Sequence, residues 1–244
     1  HIAVGAWHSS GPLITTKAGH AGAGITTAAI TFGGRNPPPN TTHVSTFEYN
    51  GNGWTSGGDL NGGRFFMSGH GTQTAALGAG GYLEGGGVKA TSEEYNGTSW
   101  AEGNNLGTAK FGSGGSGSQT AGLAAGGREP SISAKTEEYD GTSWSEQNDL
   151  NTGRTIQSTM TGIQTAAVAF GGNTNIPASI TANVEEYNGT SWSEVNNLPA
   201  ARNTGAASGP QTSALVFGGV PNSALTEKYD GTSWTEVNDL NSDR

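Results

Sequence analysis

The side chains able to do chemistry recur on a regular beat. A basic residue stands at Arg64, Lys110, Arg154, Arg202 and Arg244, ten residues after Trp54, Trp100, Trp144, Trp192 and Trp234. Carboxylate pairs stand at Glu93-Glu94, Glu137-Glu138 and Glu185-Glu186. Such pairs suggest calcium binding or general acid–base work. However, neighbours on a strand point to opposite faces, so a pair does not converge. The expected role is a solvated charge protecting a sheet edge. The basic residues allow two readings: a brace for the adjoining loop, or a ring of cations facing an acidic or glycan ligand. His1, His8, His20, His43 and His70 lack any His-Glu-x-x-His spacing. They read as surface or channel histidines, with no metal site and no cofactor assigned. The absence of cysteine excludes disulfides, thiol catalysis and zinc–thiolate sites. Almost every Asp and Glu occupies a repeated position, whereas an active site needs unique ones; Glu84 and Glu129 are the exceptions.

The elements that must position these groups are announced by a phrase, Tyr-Asn/Asp-Gly-Thr-Ser-Trp. It joins Tyr95 to Trp100, Tyr139 to Trp144, Tyr187 to Trp192 and Tyr229 to Trp234, with a looser copy from Tyr49 to Trp54. Asn-Gly or Asp-Gly between strand formers predicts a type I′ hairpin tip, with positive φ at both central residues. Glycine pairs at 33–34, 80–81, 126–127, 171–172 and 218–219 keep intervals of 47, 46, 45 and 47. In the third full copy, strands are expected over 111–118, 120–127, 134–139 and from Trp144 toward Leu150. Four short strands in each repeat of this length predict an all-β fold, a β-propeller of four-stranded antiparallel blades. Small residues suit the crowded hub, and the Tyr and Trp side chains fill the widening space between blades.

Trp7, Leu13 and Lys17 repeat the Trp, Leu, Arg/Lys spacing without a preceding Tyr-Asn-Gly. Residues 1–17 therefore read as an extra outer strand or the stub of a preceding blade, and 18–244 as five blades. Six blades in a longer parent chain is the alternative. His1-Ile2-Ala3 resembles neither an initiator nor a signal peptide, so a processed or partial chain is expected.

A net charge of −9 argues against nucleic acid as a partner, since phosphate binding needs a basic stripe. No apolar run approaches membrane-spanning length, and no membrane insertion is expected.

Gly171-Gly172, Glu185-Glu186-Tyr187, Trp192 and Arg202, with their counterparts in the other copies, resemble the kelch motif. The resemblance covers nearly the whole chain and implies a propeller with four-stranded blades. The phrases Gln-Thr-Ala-Ala, Glu-Glu-Tyr-Asn-Gly-Thr-Ser-Trp and Asn-Asp-Leu-Asn also resemble kelch-like repeats in structural proteins of marine tailed bacteriophages. The kelch family includes a copper oxidase with a cysteine–tyrosine cofactor, an activity that a cysteine-free chain cannot inherit.

The loops after the glycine pairs differ in every copy, while the scaffold is constant, which is how rigid folds present binding residues. Arg35, Tyr82, Arg128 and Asn173 in these loops, with Arg64, Arg154 and Arg202 on the connections beside them, form the expected ligand-binding set. The functional expectation is a non-enzymatic binding or structural module of a virion or other extracellular surface. Its partners would be a cell-surface glycan or other structural proteins of an assembly. The alternative is a polysaccharide-acting hydrolase or lyase with carboxylates at the channel mouth.

Overall fold

Each repeat folds into one antiparallel sheet whose strands, here a to d, follow chain order. The computed structural model describes residues 7, 9–36, 41–174, 179–221 and 224–242, and every regular element among them is a strand. Blade 1 comprises Ala21–Ile25, Ala28–Phe32, Thr46–Tyr49 and Trp54–Ser56. Blade 2 comprises Ser68–Thr72, Ala75–Ala79, Ser92–Tyr95 and Trp100–Glu102. Blade 3 comprises Gly114–Ser118, Ala121–Ala125, Thr136–Tyr139 and Trp144–Gln147. Blade 4 comprises Met160–Ile163, Ala166–Phe170, Val184–Tyr187 and Trp192–Val195. Blade 5 comprises Ala206–Ser208, Ala214–Phe217, Thr226–Tyr229 and Trp234–Glu236. The a strands of consecutive blades pack on one another from blade 1 to blade 5, which makes the molecule a five-bladed β-propeller.

The glycines mark close approaches of backbone. A Cβ on Gly115 would lie 2.9 Å from the amide nitrogen of Gly69 in the neighbouring a strand. The glycine pairs have a different reason. Gly80 and Gly81 take φ of 68° and 104°, and a Cβ on Gly80 would lie 2.5 Å from the Lys110 carbonyl oxygen. The Gly81 amide donates to that same oxygen at 2.8 Å, so the pair ties the end of strand b to the start of the next blade.

The hairpin tips differ from the expected type I′ turn. Tyr95 and Trp100 face each other in register across a four-residue loop in which only Gly97 has positive φ. Asn96 keeps negative φ and acts through its side chain: Oδ1 accepts from the Thr98 and Ser99 amides at 3.0 and 2.9 Å. Asp140 does the same for Thr142 and Ser143. These bonds, led by that from Ser143, hold the Asp140 carboxyl below its usual range.

The Glu-Glu-Tyr strand stitches blades together, which corrects the expectation that its carboxylates are solvated edge charges. In blades 2 to 5 the glutamate two residues before the repeat tyrosine turns inward onto the basic residue that opens its own blade. Arg64 pairs with Glu93 at 3.1 Å and Lys110 with Glu137 at 3.0 Å; Arg154 pairs with Glu185 and Arg202 with Glu227. All eight residues are buried. The second carboxylate accepts from the phenol of the next blade: Tyr95 to Glu48, Tyr139 to Glu94, Tyr187 to Glu138 and Tyr229 to Glu186. Burial, then the bond to Glu48, pushes the Tyr95 phenol up to about 12. Gln73, Gln119, Gln164 and Gln211 each donate to two carbonyls of the preceding blade. Replacing Gln119 with Ala removes its bonds to the Ala76 and Tyr95 carbonyls, which join blade 3 to blade 2. Urea unfolding should show a loss of about 1–2 kcal/mol.

His70 is neither a surface nor an open-channel histidine. Its ring is buried against Gly115 and Gly122 of blade 3, with no hydrogen-bond partner on either nitrogen. Desolvation lowers its pKa to about 4. His20 is lowered to about 4 by burial and then by the nearby Lys17 charge. His1, His8 and Arg244 lie outside the described residues.

Candidate recognition face

In every blade the connection from strand d to the next strand a runs antiparallel to the residue that follows the glycine pair. The bridges are Ala18 with Arg35, Phe65 with Tyr82, Phe111 with Arg128, Thr155 with Asn173 and Asn203 with Val220. The loops after the glycine pairs and the basic-residue connections therefore share one face, as the strand alternation predicts.

The candidate residues divide into two groups on this face. The Arg64, Arg154 and Arg202 side chains are at most 4% exposed and engage Glu93, Glu185 and Glu227 beneath it. They brace the wall that carries the face. Arg35, Tyr82 and Arg128 remain half-buried at its surface. Asn173 bridges to Thr155 and Ile180 on the far side, in blade 4.

Arg35, Tyr82 and Arg128 are brought together by three phenylalanines that the sequence reading placed in strand a or passed over. The Arg35 guanidinium lies 4.7 Å from the Phe65 ring centre and 5.4 Å from that of Phe66. Phe65 meets Phe66 edge-on at 4.9 Å and Tyr82 at 5.4 Å. Tyr82 meets Phe111 at 5.5 Å, and Phe66 and Phe111 lie nearly parallel, 17° apart with centres 6.5 Å distant. The Arg128 guanidinium closes the row 6.0 Å from Phe111. Phe65 is buried beneath, so the half-buried rings of Phe66, Tyr82 and Phe111 form an aromatic platform bounded by the two cations. Geometry of this kind suits cation–π contact and ring stacking.

Phe66 has φ of 57°, as does Thr204 at the same place in blade 5, whereas Gly19 and Gly112, two residues after Lys17 and Lys110, fill that place with φ of 62° and 69°. Holding a bulky side chain there costs on the order of 1 kcal/mol or more. The signal in the sequence was the pair Phe65-Phe66, where other copies carry Ala18-Gly19 or Asn203-Thr204. Two short ribbons flank the platform: Arg35–Asn36 with Thr41–Thr42, and Tyr82–Leu83 with Gly87–Val88.

Glu84 is exposed, and Glu129 is half-buried with Oε1 accepting from the Ser133 hydroxyl at 3.0 Å. Among the described residues, no three His, Asp or Glu side chains gather to hold a metal ion. No helix is long and apolar enough to cross a membrane among those residues.

Fold and face together define a five-bladed β-propeller that presents aromatic rings and guanidinium groups at one end of blades 1 to 3. No protein-family model matches the chain, and no curated protein matches its sequence.

Proposed function

We propose that the protein is a non-enzymatic recognition module that binds glycan across the platform of Phe66, Tyr82 and Phe111. The carrying observation is the group of three half-buried rings lying between Arg35 and Arg128, on a chain whose net charge is −9. Aromatic faces receive the C–H edges of sugar rings, and guanidinium forks bond their hydroxyl or carboxylate oxygens. The kelch-like repeat and its likeness to phage structural proteins support a place on a virion or another extracellular assembly. There the rigid blades would hold the platform for a surface glycan while other faces meet neighbouring structural proteins.

Binding to a glycan array, with hydrolysis monitored in parallel, tests this reading. The expected result is retention without turnover. Phe66→Gly removes one ring at a place where Gly19 and Gly112 show glycine is at home. It should weaken binding about tenfold, equivalent to about 1.4 kcal/mol, while the thermal midpoint shifts by no more than about 3 °C. Arg35→Ala should also lower affinity. Glycan turnover would favour a hydrolase or lyase, and unchanged binding in both variants would remove the platform from the site.

A further inference from the structure

The ring is not evenly joined. Backbone bonds belt the hub from Phe66 N to Gly19 O, Gly112 N to Phe66 O, Ile156 N to Gly112 O and Ala207 N to Ser158 O. These cover the four junctions between blade 1 and blade 5. From blade 5 back to blade 1, the described residues make no such bond, and the two a strands make no comparable contact. A cleft of ≈ 1040 Å³ opens there, with Phe217 and Leu240 on one wall and His20 and Trp54 on the other.

Trp7 shows what this cleft is shaped for. Its indole packs on Phe217 of blade 5 at 4.8 Å and 56°, as Trp100 packs on Phe32 of the preceding blade at 4.6 Å and 57°. Its Nε1 donates to Asn238 O at 3.1 Å, as Trp234 donates to Asn196 O at 2.9 Å. Its carbonyl accepts from Asn241 Nδ2 at 3.0 Å, as the Trp100 and Trp192 carbonyls accept from Asn61 and Asn151. Three independent contacts thus put Trp7 where the outer strand of the blade after blade 5 belongs. From there the chain reaches Lys17 with the ten-residue spacing found elsewhere between one blade's outer strand and the next blade.

The walls are unfinished at matching places. Phe217 and Leu240 are half-buried, whereas Phe32 and Phe170 are 0% exposed and Leu60, Leu106, Leu150 and Leu198 are buried. On the other wall, Tyr49 is half-buried and turns its hydroxyl onto its own Gly51 carbonyl, while every other repeat tyrosine reaches a preceding carboxylate. Ala29, its register partner, is half-buried, while Ala76, Ala167 and Ala214 are 0% exposed.

We infer that the cleft is the seat of a sixth blade, in which the segment from Trp7 supplies strand d and a stretch of this chain continuing beyond Arg244 supplies strands a, b and c. Arg244 lies ten residues after Trp234, the place from which each other blade begins. A second copy of the molecule is a poor occupant, because its blades already have their own outer strands. The incoming strand c is expected to carry a carboxylate that accepts the Tyr49 phenol.

The test appends a copy of residues 111–140, strands a to c of blade 3, directly after Arg244 of the full chain. A scrambled 30-residue extension is the control. The expected result is a rise in thermal midpoint of about 5 °C or more over the control, with hydrogen exchange at the Trp7 indole slowed about tenfold. Trp7→Ala in the extended protein should abolish most of that rise. A rise that survives Trp7→Ala, or no rise at all, would overturn the inference. So would a dimer of the unextended protein that already protects Trp7, or a natural polypeptide whose intact mass ends it at Arg244.

Discussion

Replacing Arg154 with Met is expected to destabilise the protein by about 3–5 kcal/mol, because it strands a carboxylate inside the wall between blades. The Arg154 and Glu185 side chains are both 0% exposed. Glu185 also accepts from the Asn151 amide at 2.7 Å, from Asn151 Nδ2 at 2.9 Å and from the Thr152 amide at 3.4 Å, so it cannot swing away to water. Without the guanidinium, its carboxyl must stay charged in a dry site or take up a proton. Restoring neutrality should therefore recover stability: Arg154→Met combined with Glu185→Gln keeps the acceptor oxygen and removes the stranded charge. The double variant is expected to regain more than half the loss in urea unfolding at pH 7. Blade 1 already shows that the wall can form without this ion pair. There Phe47 stands at the position of the first glutamate, and the Lys17 ammonium lies 4.5 Å from the centre of its ring. A single-variant loss below about 1 kcal/mol would place these pairs with surface ion pairs in energetic weight.

That comparison shows why the scaffold was legible in the sequence and the site was not. Glycine pairs and Tyr–Trp hairpins announce themselves because they answer to local backbone geometry, and each repeats in every blade. Gly80 must admit the Lys110 carbonyl, and Tyr95 must face Trp100 across the turn. The partners of the repeated basic residues lie 25 to 31 residues away in the chain, as Arg202 to Glu227 and Arg154 to Glu185. Alternation along a strand shows that Glu93 and Glu94 diverge, but not that both faces are covered by protein. The same blindness hid the platform. Phe65, Phe66 and Phe111 come from two different connections and meet only because blades 2 and 3 are adjacent. Their partners Arg35, Tyr82 and Arg128 were legible as loop residues, since variable loops on a constant frame stand out against the repeat. The hairpin tips taught a smaller lesson: Asn96 was chosen for its side-chain oxygen, not for positive φ.

Acidification is expected to weaken the fold through the His70 ring at the hub. At the place of His70 the other blades carry Ala23, Ser116, Thr161 and Ser208, as the strand registers with Ile30, Leu123, Val168 and Leu215 show. His70 fills a slot against glycines in blade 3 with neither nitrogen bonded, so the imidazolium has nothing to stabilise it. Burial holds its pKa at about 4, against 6.5 for a free histidine side chain. The folded-state value is depressed, so its neutral form is favoured in the folded chain and the unfolded chain takes up the proton first. Stability is thus full above pH 6.5, falls as pH drops toward 4, and levels out below that. Between pH 7 and pH 4.5 the loss from His70 should be about 2–3 kcal/mol, and His20 shifts in the same direction. His70→Leu carries its own packing cost at neutral pH, so the informative quantity is the gap between variant and parent. Urea unfolding at both pH values should show that gap move by about 2–3 kcal/mol in favour of the leucine protein on acidification. Parallel curves would mean that the His70 ring is hydrated or paired in solution and that the hub is open to water.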